Sequence, residues 1–248
     1  MSYDYRFSQA YARVIGEECA DSGIGTLSER VIHKTLKLYY EPCEENHEVK
    51  VLGSVADILS EDGIIEVQNG NFKYLVPKLR KFLPNYPVTV VYPIVARTSI
   101  RYLDKKTGQI SPPRTSPRTK KLYDAARELC AISEFIPHPS LTVKLVFLEC
   151  EEYRLKKEGK GSRADRIERI PKGIISELTL KEREDYYAFL PDTVGTQFLA
   201  KEYYKAIRSR TRYNYYCLKL LVNLGIISQT GKEGRAFVYT RNESCGEG

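Results

Sequence analysis

Asp57 and Glu66, with Gln68 two residues beyond Glu66, stand out because each lies in an otherwise apolar run within the stretch His47–Gln68, HEVKVLGSVADILSEDGIIEVQ. Strand side chains alternate faces, so Glu66 and Gln68 project one way while Val67 projects into the opposite layer. A carboxylate in mid-strand is costly when buried alone. Two of them in neighbouring strands call for a cation or a proton between them, unless both sit at strand edges in water.

The surrounding elements are legible. HEVKVLG, SVADILS and IIEVQ read as three short strands, the second hairpin closing at Glu61-Asp62-Gly63. Ahead of them, residues 3–20 have the helical spacing Phe7, Ala10, Tyr11, Val14, Ile15. A second helix starts at Thr26-Leu27-Ser28-Glu29, carries the stripe Leu27, Val31, Ile32, Thr35, Leu36, Leu38, Tyr39, and stops at Pro42. Glu29 falls in its first turn, where a capping carboxylate is as reasonable as a functional one. After Gln68, FKYLVPKLRKFLP reads as a helix that Pro77 bends, and VTVVYPIV (88–95) as a strand covered on both faces. A strand, helix, strand step implies a right-handed crossover and parallel pairing.

Glu29 on a helix, Asp57 on the second strand and Glu66-Val67-Gln68 on the third resemble the αβββαβ core of the PD-(D/E)XK, restriction-endonuclease-like, nuclease superfamily, over residues 24–96. The resemblance implies Mg²⁺ or Mn²⁺ held by Asp57, Glu66, the backbone carbonyl of Val67 and Glu29, and catalysis involving Glu29, Asp57, Glu66 and Gln68. Ala56 replaces the usual proline, and Gln68 replaces the usual lysine. The second departure removes a charge from the reaction centre, leaving only a hydrogen bond to the attacking water. The chemistry implied is phosphodiester hydrolysis, since Mg²⁺ prefers oxygen ligands and lowers the pKa of bound water. The wider sequence is also similar to bacterial proteins of uncharacterised function.

The 248 residues suffice for two domains, and the net charge of +7 suggests an anionic partner. Six scattered cysteines without a CxxC pair argue against a zinc ribbon or a disulfide framework and fit reduced thiols, mostly in core positions. Three histidines give little material for a histidine-rich metal centre or a Ser-His-Asp hydrolase. No apolar run reaches the length of a membrane span and no signal pattern opens the chain, so a soluble, cytoplasmic protein without a membrane partner is expected.

Residues 97–121 hold eight basic residues against Asp104, in a hairpin turning at Lys106-Thr107-Gly108 followed by a proline-stiffened segment. A helix over 120–132 and a strand over 141–150 follow. The second basic stretch, from Glu151 to Lys172, reads as a mobile loop able to order on a phosphate backbone. From Thr196 to Arg241 there are nine basic and two acidic residues, in two helices and a hairpin turning at Thr230–Gly234. LKLLVNLGIISQTGKEGRAFVYTR resembles the last helix and wing of a winged-helix domain. That resemblance implies DNA binding through Arg210, Arg212, Tyr213, Asn214, Tyr216, Lys232 and Arg235, although winged helices also bind proteins.

The expected fold is therefore α/β with an α+β mixed sheet. It comprises an N-terminal helix (1–23), a restriction-endonuclease-like αβββαβ domain (24–150), a basic linker or elaboration (151–195), a winged helix-turn-helix domain (196–242) and a disordered tail (243–248). The expected function is metal-dependent DNA cleavage, with the winged helix recruiting the duplex. The alternative is a non-cleaving, DNA-binding regulator with a degenerate nuclease domain. Either form is compatible with a homodimer.

Overall fold

The computed structural model describes residues 3–21, 28–155, 164–208 and 214–242, with the backbone alone for residues 3, 4, 17–21 and 28–30. The chain forms two compact units. Residues 1–69, 91–120 and 145–178 build the first, and 70–90, 121–144 and 179–248 build the second. The architecture is mixed α/β, with a seven-stranded mixed sheet, a separate three-stranded sheet and helices. Among the described residues, no helix is long and apolar enough to cross a membrane.

The first unit starts with α1 (Tyr3–Asp21) and α2 (Ser28–Tyr40). Strands β1 (His47–Val51), β2 (Ser54–Ser60) and β3 (Gly63–Val67) follow. The unit contains most of β4 (Val88–Leu103), β6 (Leu141–Leu155) and β7 (Asp165–Leu180), and all of β5 (Arg114–Thr115). The sheet runs β1-β2-β3-β4-β6-β7, with β5 paired to β4. Leu52 and Gly53, at φ 47° and 72°, make the two-residue turn between β1 and β2, where positive φ matches the strands' twist. Phe7, Val14, Val31, Ile32 and Leu36 on the two helices pack into one core with Val67, Val91, Val146, Leu148 and Ile174 on the sheet. Each such side chain removed from water contributes about 1.5–3 kcal/mol, so this layer holds the helices to the strands that carry the acidic positions.

Three expectations are corrected in this part of the chain. The strand expected to end at residue 95 continues to Leu103 as β4, because the hairpin after it pairs Ser99 with Thr115 and Ile100 with Arg114. The stretch expected as a mobile loop from residue 151 is largely strand, and residues 156–163 of it lie outside the described residues. Its charges misled the reading. Glu152 is buried and accepts hydrogen bonds from Arg154 Nε (2.9 Å) and Arg169 Nε (2.8 Å), so the arginines are neutralised within the sheet. Finally, Pro77 does not bend a helix. It sits in the first turn of α3 (Val76–Phe82), where its missing N–H costs nothing, and the residues before it form the 3₁₀ turn Phe72–Tyr74.

The second unit contains α3, α4 (Ala126–Ala131) after the 3₁₀ turn Leu122–Ala125, and a 3₁₀ helix over Arg183–Phe189. Then come β8 (Gln197–Leu199), α5 (Ala200–Ala206), α6 (Tyr215–Asn223), β9 (Ile227–Glu233) and β10 (Ala236–Arg241). The small sheet has the order β8-β10-β9 and is antiparallel throughout. Gly225, at φ 65°, ends α6 with Ile226 donating its amide to the Leu221 carbonyl (2.9 Å). Arg183 Nε donates to the Leu224 carbonyl (2.9 Å), placing a cation at the helix's negative end. The hairpin turns at Gly234-Arg235 rather than over 230–234. Glu233 pairs with Ala236, Gly234 adopts φ 60°, and Thr230 is the extra residue at an irregularity opposite Val238 and Tyr239.

Candidate functional site

Asp57 and Glu66 stand one residue beyond Ile58 and Ile65, the last pair in this direction of the β2–β3 ladder. The regular pairing stops there. At this point a side chain enters the backbone pattern: Asp57 Oδ2 accepts the Val67 amide at 2.8 Å. Val67 thus turns its N–H toward the aspartate, a contact that spacing alone did not anticipate. Asp57 is 14% exposed and Glu66 is 1% exposed, so both carboxylates are withdrawn from bulk water. Gln68 is half-buried, and its amide donates to the Val91 carbonyl at 2.9 Å, tying β3 to β4.

His33 is the residue that sequence reasoning missed. Its Nε2 lies 3.3 Å from Asp57 Oδ2. One helical turn separates it from Glu29 along α2, and this i, i+4 relation was the available signal. It went unread because His33 is off the apolar stripe that identified the helix. One turn further on, Lys37 forms an ion pair with Glu48 on β1, so this face of α2 meets the sheet through charged partners as well as apolar ones. Glu29 lies in the first turn of α2, and its side chain is outside the described residues.

The oxygen donors expected here, two carboxylates and a carbonyl joined by Glu29, suit a hard divalent cation such as Mg²⁺ or Mn²⁺. Among the described residues, no group of three or more His, Cys, Asp and Glu side chains gathers in a way that would hold a metal. Two side chains of the expected set, Asp57 and Glu66, are described.

The expected nucleic-acid surface lies in the second unit. Arg210, Arg212 and Tyr213 fall outside the described residues. Asn214 is the residue before α6, and the rings of Tyr215 and Tyr216 stack with centroids 4.1 Å apart in its first turn. The opposite side of α6 is interior: Cys217, Leu218, Leu220 and Leu221 are buried. The thiol of Cys130 donates to the Tyr216 carbonyl (3.3 Å) and that of Cys217 to the Tyr123 carbonyl (3.4 Å). Burial pushes these thiols up to about 11 and about 12, which keeps them protonated and inert as nucleophiles. Lys232 and Arg235 are exposed at the tip of the β9–β10 hairpin, where Lys232 Nζ lies 4.8 Å from the centre of the Phe237 ring.

The arginines that meet β6 in the first unit behave differently. Arg101 Nε donates to Glu151 (2.6 Å), Arg97 pairs with Glu149 (3.5 Å), and Arg166 lies 3.8 Å from the Glu152 carboxylate already held by Arg154 and Arg169. Burial alone would raise the Glu152 carboxyl, but hydrogen bonds from the two arginines outweigh it and hold the group below the usual carboxylate range.

A sequence model of a family described as a domain of unknown function, DUF8091, matches residues 30–181. An "Uncharacterized protein" of Treponema pallidum (strain Nichols) is 27% identical over 232 residues, covering 90% of this chain and 89% of that protein. No solved structure matches the chain.

Proposed function

The chain belongs to the DUF8091 family, and we propose that it is a metal-dependent DNA endonuclease-like protein built on a restriction-endonuclease-like core with a winged-helix domain. The observation that carries this reading is the placement of Asp57 and Glu66, both withdrawn from water, on neighbouring strands next to the Ile58–Ile65 pair where the β2–β3 ladder ends. Asp57, Glu66, the Val67 carbonyl and Glu29 would hold Mg²⁺ or Mn²⁺. When bound, that ion lowers the pKa of a water and neutralises charge on the scissile phosphate. The Val67 amide and His33 orient the Asp57 carboxylate, and the Gln68 side chain offers the water a hydrogen bond without a charge. In the second unit, the order β8, α5, α6, β9, β10 supports the winged-helix reading. Asn214 and Tyr216, with Arg210, Arg212 and Tyr213 before them, serve as the groove-reading residues, and Lys232 and Arg235 as phosphate contacts of the wing.

The test is incubation with supercoiled plasmid and Mg²⁺ or Mn²⁺, beside Asp57→Ala. Nicking or linearisation by the parent, reduced at least ~100-fold in the variant while DNA affinity is retained, is the expected outcome. A second reading is favoured by the same site. Gln68 provides no cation, and the Asp57 oxygen is already engaged by Val67, an arrangement that also suits a scaffold. On that reading the protein is a DNA-binding regulator, and binding without cleavage under every metal would select it.

A further inference from the structure

The second unit contains a concentration of positive charge that belongs neither to the acidic site nor to the wing. Lys73, Arg127 and Lys219 line one cleft of about 220 Å³, together with Asn71, Glu128 and Tyr216. Three separate elements deliver the cations. Lys73 comes from the 3₁₀ turn that follows Asn71, whose φ of 56° redirects the chain there. Arg127 comes from the first turn of α4, and Lys219 from the second turn of α6. Glu128 is the one acidic residue in the lining. Its Oε2 accepts the Phe72 amide at 2.9 Å, which fastens α4 to the turn presenting Lys73. The cleft therefore carries three cations against one carboxylate, and that carboxylate has a structural task.

All three cationic residues are exposed, and Lys219 forms no ion pair among the described residues. The stacked Tyr215 and Tyr216 rings sit at the same end of α6, giving cations beside aromatic surface. The volume falls below the ~300 Å³ at which small-molecule pockets begin, which suits one anionic group rather than a whole cofactor. A tetrahedral oxyanion fits this donor set: a guanidinium supplies paired N–H groups and the two ammonium groups supply point charges.

We propose that the cleft formed by Lys73, Arg127 and Lys219 binds a phosphate group of the DNA backbone, extending the nucleic-acid interface of α6 onto α4 and the 3₁₀ turn before α3. This rests on the DNA-binding reading given above, and it makes the contact independent of base sequence.

The double variant Lys73→Ala/Lys219→Ala tests it, because both side chains are exposed and their truncation leaves the core intact. Duplex affinity is measured against salt for parent and variant, with thermal melting as the folding control. Loss of two phosphate contacts lowers the slope of log K against log salt by about 1.8 and weakens binding about 10- to 100-fold at physiological salt, equally for unrelated sequences. An unchanged slope and affinity in a variant whose parent binds DNA would overturn the proposal. If the parent binds no duplex, the DNA-binding reading fails, and titration with inorganic phosphate followed by amide NMR shifts decides the cleft separately. Shifts at Lys73, Arg127 and Lys219 that the variant loses would keep an anion site for free phosphate, and no shifts would remove it.

Discussion

The arginines along β6 in the first unit and the cations of α6 and the β9–β10 hairpin in the second hold their positive charge in opposite ways. In the first, Arg97, Arg101, Arg154 and Arg169 each meet a glutamate on β6, and the most buried of these, Glu152, takes two arginines at once. In the second, Lys219 and Arg235 have no carboxylate partner among the described residues, and Lys232 rests against Phe237 instead. Both groups look basic in sequence, but only the second keeps cations clear of a carboxylate partner among the described residues. A count of lysines and arginines measures the potential for binding anions, and pairing across strands decides how much of it survives.

That contrast can be broken experimentally. The largest expected effect is on stability: Glu152→Gln removes the carboxylate that Arg154 and Arg169 share and costs about 2 kcal/mol by chemical denaturation at neutral pH, less than for a fully buried pair because the arginines still reach water. The cost is pH-dependent. Because the folded carboxyl lies below its usual value, its contribution is present above the unfolded carboxylate pKa and is lost as pH falls through the folded value. The difference between parent and variant therefore shrinks on acidification below about pH 4, and a constant difference would contradict the ion pairing. Next is the wing. Lys232→Ala/Arg235→Ala lowers duplex affinity about tenfold with little change in melting temperature. The smallest effect belongs to Arg97→Ala, whose exposed pair with Glu149 contributes at most about 0.5 kcal/mol and whose loss leaves DNA affinity within about twofold. A larger loss of affinity at Arg97 than at the wing would reverse the comparison.

Much of the fold was legible because its signals are local. The turn at Glu61-Asp62 sets the β2–β3 hairpin, and the apolar stripes of α1 and α2 run through the buried residues, whereas Leu52 and Gly53, expected at the end of the first strand, form a turn. The errors share a cause. β4 outran its apolar run, and β6 and β7 replaced a basic loop, because both extensions depend on neighbouring strands, and a polar edge with a partner is as good a strand as an apolar one. The candidate site divides the same way. Asp57, Glu66 and Gln68 were visible as polar residues in apolar strands, whereas His33 offered only its i, i+4 spacing from Glu29, and nothing along the chain relates a residue on α2 to one on β2 twenty-four positions later.

The sequence by itself determined which residue types are present, the period that makes each segment helix or strand, and the short turns that bring Asp57 and Glu66 into adjacent strands. Tertiary structure alone decided that the Val67 amide and His33 meet Asp57, that Glu152 neutralises two arginines, and that Lys73, Arg127 and Lys219 converge on one cleft. The physical reason is range. Backbone propensity acts over a few residues, whereas the state of a charge depends on every group folded to within a few ångströms of it.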